Sequence, residues 1–124
     1  MMMDGRSGTH RADPPIDEPG LLERCMGNHT LLRMLLEKFD AQARGDLAAL
    51  SDALRARDAR VACLRAHSLK GAAGAVTAPG VLRAAASLEA FVRSADWAGA
   101  DGALASLRGE VDRALAHITA RRAA

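Results

Sequence analysis

His67, Lys70, Gly71 and Gly74 are the residues of this chain whose types and spacing could do chemistry. They stand in the stretch from Arg65 to Val76, which reads RAHSLKGAAGAV. Residues three, four and seven apart share one face of a helix. That face would carry a nucleophilic imidazole, a cation beside it and two positions without a side chain. Glycine inside a helix costs roughly 1 kcal/mol relative to alanine. Two such positions on one face imply that something comes close to the backbone there.

The helix that must position them is written in its apolar residues. Ala62, Ala66, Leu69, Ala73 and Val76 form one stripe at a 4-3-4-3 spacing. His67 falls about 140° from the centre of that stripe, which turns it toward solvent. Leu64, one turn before His67, falls on the same outer side, where an apolar residue suits a partner interface. Ser68 adjoins His67, but neighbours on a helix diverge by about 100° and form no catalytic pair.

HSLKG followed by AAGAV closely resembles the signature of histidine-containing phosphotransfer (HPt) domains. Leu88-Glu89 stands where that family often carries a leucine-glutamate pair, and Phe39 with the run before it resembles the family's first long helix. The resemblance extends from Ile16 to about Ile118. It implies that His67 accepts a phosphoryl group from a receiver-domain aspartate, or from a hybrid histidine kinase, and passes it to a response regulator. Lys70 would lie near the phosphoryl oxygens. Leu64, Ser68, Gly71 and Gly74 would belong to the docking surface, with Gly71 leaving room for the incoming active site. The family implies no cofactor or metal of the chain's own, with Mg²⁺ carried by the partner receiver. One departure is Thr77, where many members have glycine. It leaves open an alternative, a helical adaptor that binds receivers without taking phosphate.

The chemistry suits that role. Imidazole is largely neutral at pH 7 and attacks phosphorus competently. A phosphoramidate and an acyl phosphate have comparable transfer potential, so exchange can run both ways without a nucleotide. The expectation is a docked phosphoryl carrier with no autonomous catalytic activity.

Composition bounds the rest. A chain of 124 residues makes one compact domain. Apolar residues are 49% and aromatic residues 2%, so the core is largely alanine and leucine, which favours closely packed helices over a sheet. A formal charge of +2 makes no demand for nucleic acid. Cys25 and Cys63 show no metal or redox spacing and read as free thiols of a cytoplasmic protein. No Glu-x-x-His occurs, which argues against a metal-carboxylate bundle. His29 and His117 read as cap or surface residues. A monomer is expected.

Met1–Pro15, polar and rich in glycine and proline, reads as a disordered lead-in, with His10 inert within it. The domain proper is expected over residues 16–122. A short helix from Ile16 to Met26 has Asp17 as its N-cap. A long helix runs from Asn28 to about Arg57. Its apolar stripe keeps phase through Gly45, although a break there with Asp46 as a new cap is the rival reading. The His67 helix spans Asp58–Val76. Thr77 is expected to cap a helix from about Ala78 to Ser94, and Asp96 to cap the last one. The fold class that follows is all-α: an antiparallel up-down four-helix bundle with a short extra N-terminal helix.

Overall fold

The computed structural model describes residues 13–123. Among them are five helices and no strand: α1 (Glu18–Arg24), α2 (His29–Arg55), α3 (Ala59–Ala75), α4 (Pro79–Arg93) and α5 (Trp97–Ala123). Helices α2 to α5 pack each on the next, and α2 also packs on α5, so four helices close a ring around one core. The lead-in expected over Met1–Pro15 lies outside the described residues except for 13–15. Of these, Asp13 pairs with Arg83 at 3.0 Å, and its carbonyl accepts from Arg113.

Local chemistry starts the helices. Asp17, Asn28, Asp58 and Asp96 each accept a backbone N–H three residues on, which satisfies a donor the helix cannot. Helix α2 runs unbroken through Gly45, because Ala43, Leu50 and Leu54 on either side stay in the core. Asp46 is therefore a buried side chain within α2, not a cap.

Four helix ends repeat one device. Residues Met26, Arg57, Thr77 and Ala95 take positive φ between 52° and 58°. At each, a pair of backbone bonds closes the last turn, as in Asp58 N–H to Ala53 O and Arg57 N–H to Leu54 O. This is the Schellman arrangement, in which the left-handed residue is most often glycine. Here none of the four is glycine, so composition hid them. After Arg57, Thr77 and Ala95 the next residue is already the cap of the following helix, and the reversal takes three residues; after Met26, Gly27 stands before the cap Asn28 and the connection takes four.

Thr77 departs from the expectation that it caps α4. It occupies the left-handed position, and Ala78 is the cap residue, with no side-chain bond of its own. The Thr77 hydroxyl instead donates to Asp17 O at 2.7 Å, while Asp17 N–H donates to Thr77 O at 2.8 Å. This reciprocal pair ties α1 to the α3–α4 turn. Arg24 adds a bond to Gly74 O at 2.8 Å, and Glu18 reaches His117 and Arg121 of α5. The α1 helix thereby bridges the α3–α4 turn and the C-terminal part of α5.

The core face of α3 is Ala62, Ala66, Leu69 and Ala73, all fully buried. Three alanines in four let the neighbouring helices approach closely, so the direction in which α3 points its outer residues is set tightly.

Thr77→Ala keeps the left-handed residue but removes the bond to Asp17. It should lower stability by about 1 kcal/mol. Thr77→Gly loses the same bond yet relaxes the backbone, so it should be the less damaging of the two. Urea denaturation of both variants checks the order.

Candidate functional site

The outward direction of His67 follows from the inward direction of Ala66 and Leu69 beside it. The His67 side chain is 68% exposed. Behind it lies a group from the next helix. Glu89 of α4 follows Leu88 on the edge of the stripe Val81, Ala85, Leu88 and Val92, and its side chain is only 5% exposed. Its Oε2 lies 3.4 Å from His67 Nδ1. The Lys70 Nζ donates to Oε1 at 3.1 Å, and Arg93 Nη2, one turn further along α4, donates to Oε2 at 2.7 Å.

One carboxylate thus meets three basic side chains from two helices. Burial alone pushes the Glu89 carboxyl up. The Lys70 hydrogen bond and the charges of Arg93, Lys70 and His67 outweigh that, so Glu89 is held below the usual carboxylate range and is ionised at neutral pH.

Ser68 turns the other way. Its hydroxyl donates to the buried Asp46 of α2 at 3.1 Å and accepts from Gln42 at 3.0 Å. Arg65 also reaches Asp46, at 3.2 Å. These bonds hold the α2 side of α3 and fix the rotation that presents His67. Gly71 is exposed, and a methyl group added there would meet nothing within 4 Å. Gly74 lies nearer the α1 end, with Leu82 3.5 Å from where its Cβ would be. Leu64 is 58% exposed, and with Arg60, Cys63, His67, Glu89 and Arg93 it lines a shallow depression.

His67, Lys70, Gly71 and Leu64 therefore share one outer surface, whereas Ser68 faces α2 and Gly74 faces α1 and α4. Reading the sequence gave no site role to Glu89 or Arg93. The available signal was an acidic residue on the edge of an apolar stripe with a basic residue four positions later. Among the described residues no group of three or more His, Cys, Asp or Glu is placed to hold a metal ion.

The family model of the Hpt domain matches residues 34–117. The chain belongs to the Hpt domain family. The match spans α3 and α4, and so every residue around Glu89, while it leaves α1 outside. Among solved structures the Hpt chain is similar to the histidine-containing phosphotransfer protein B (HptB) from Pseudomonas aeruginosa PAO1. The TM-score is 0.82 at 22% identity, over 90% of this chain and 96% of that one. That likeness extends the shared fold beyond the matched region. No curated protein matches the sequence.

The depressed Glu89 value has a sign that can be tested. A carboxyl whose folded value is lowered contributes stability in full above its unfolded value, about 4.3. That contribution is lost as pH falls through the folded value. Glu89→Gln should therefore be less stable than the parent at pH 7, with the gap narrowing below about pH 4. Urea midpoints measured from neutral to acid pH read this directly.

Proposed function

We propose that this Hpt domain is the histidine phosphotransfer protein of a two-component phosphorelay, with His67 as the phosphoacceptor. It takes a phosphoryl group from the aspartyl phosphate of a receiver domain or hybrid kinase and delivers it to a response regulator. The observation that supports this reading is an exposed imidazole whose Nδ1 is backed by a buried, ionised carboxylate, with an open Gly71 one turn on.

The step balances on these groups. Nε2, the nitrogen turned away from Glu89, attacks phosphorus. The N–P bond forms as the O–P bond to the partner's aspartate breaks, and that aspartate leaves as a carboxylate. Positive charge appears on the ring, where the Glu89 carboxylate offsets it. Lys70 and Arg93, already gathered by Glu89, supply positive charge for the phosphoryl oxygens. The return step reverses each change. Mg²⁺ and the remaining catalytic groups belong to the receiver in this reading, and this domain acts as a monomeric carrier in the cytoplasm. No helix among the described residues is long and apolar enough to cross a membrane. Three-residue connections between helices that pack together support an antiparallel up-and-down ring.

The reading is tested by mixing the domain with purified receiver domains phosphorylated by acetyl phosphate and Mg²⁺. Label should move to the parent as an acid-labile, alkali-stable adduct and be absent in His67→Gln. Equal binding by both proteins with no movement of label from any receiver would select the adaptor reading instead.

Two further variants probe the surface. Gly71→Gln should block transfer by crowding while leaving the helical circular dichroism unchanged. Lys70→Ala should slow transfer by roughly 10-fold. That is less than the roughly 10²–10³ typical of a lost oxyanion donor, because Arg93 remains.

A further inference from the structure

The outer surface around His67 is not charge-balanced as the whole chain is. Three cations, Arg60, Lys70 and Arg93, stand against the single carboxylate of Glu89. Lys70 and Arg93 are both paired with that carboxylate. Arg60 differs: it is exposed, and among the described residues no carboxylate pairs with it. The acidic residues that begin α3 and α5 are committed elsewhere. Asp58 accepts Val61 N–H at 3.1 Å, and Asp96 accepts Gly99 N–H at 2.9 Å.

Arg60 is seven residues before His67, two turns along the same helix face. At 1.5 Å per residue the separation along the axis is about 10 Å. Leu64 lies between them, 58% exposed, and all three line the same depression. The surface therefore has an order: a reacting group, an apolar contact, then an exposed guanidinium at the rim. A rim charge of this kind sets encounter rate and partner choice more than final affinity.

We infer that the cognate partner is a receiver domain bearing an acidic side chain about 10 Å from its phosphorylated aspartate, seated on Arg60, and that Arg60 is a specificity-determining residue. This inference rests on the phosphotransfer reading above. It adds the chemistry of the partner's rim and one residue that reads it.

The test uses the full chain with purified receiver domains of the source organism, each phosphorylated by acetyl phosphate and Mg²⁺, over a range of salt concentrations. Receivers with an acidic rim should exchange phosphate fastest with the parent, and that rate should fall as salt rises. Arg60→Glu should lower kcat/KM for those receivers by about 10-fold or more through KM, with kcat little changed, and should flatten the salt dependence. Arg60→Lys should retain most of the rate. Replacing the receiver's acidic residue with lysine should restore exchange with Arg60→Glu. Glutamate is favourable in the first turn of a helix, so the variant should stay folded, and its thermal melt confirms that the loss is one of docking. Arg60→Glu exchanging at the parent's rate, with the same salt dependence and receiver preference, overturns the inference while leaving the phosphotransfer reading standing. Absence of exchange by the parent with every receiver overturns both.

Discussion

The Glu89 carboxylate is the constraint on which the site depends. It is buried beside Leu88 and ionised, and burial of a lone carboxylate is strongly unfavourable. It persists because Lys70 and Arg93 bond to it and His67 faces it across 3.4 Å. The same contacts decide how α3 and α4 sit against each other at this level, since two of the three basic groups come from α3 and the carboxylate from α4. A structural ion cluster and the backing of an exposed imidazole are here one arrangement.

That arrangement needs α3 to hold one rotation. The alanines at 62, 66 and 73 bring its neighbours close, and Leu69 alone fills the larger space among them. On the opposite flank Ser68 and Arg65 bind the buried Asp46 of α2. A small twist of α3 would break these bonds and move His67 away from Glu89 together. The imidazole is thus exposed without being loose: its helix is locked on both sides while its ring remains in solvent.

Legibility in the sequence was uneven for physical reasons. The caps at Asp17 and Asp96 were readable because capping is a matter of one side chain and a donor three residues away. The continuity of α2 through Gly45 was readable from the phase of its stripe. The role of Thr77 was not, because its hydroxyl bonds Asp17, sixty residues earlier. A left-handed turn residue without glycine leaves no compositional mark, and four of them occur among the described residues. The assignment of Gly74 to the docking face also passed over its neighbours, since Leu82 and Arg24 approach it from other helices.

By itself the sequence determined which segments are helices, which face of each is buried and that His67 looks outward. These follow from a period of 3.6 residues acting within one segment, and need no knowledge of what lies opposite. Only the tertiary structure decided that Glu89 stands behind His67, that Arg93 joins it and that, among the described residues, no carboxylate pairs with Arg60. Those facts depend on the axial register and rotation of one helix against another, and no local spacing encodes a distance between atoms on separate helices.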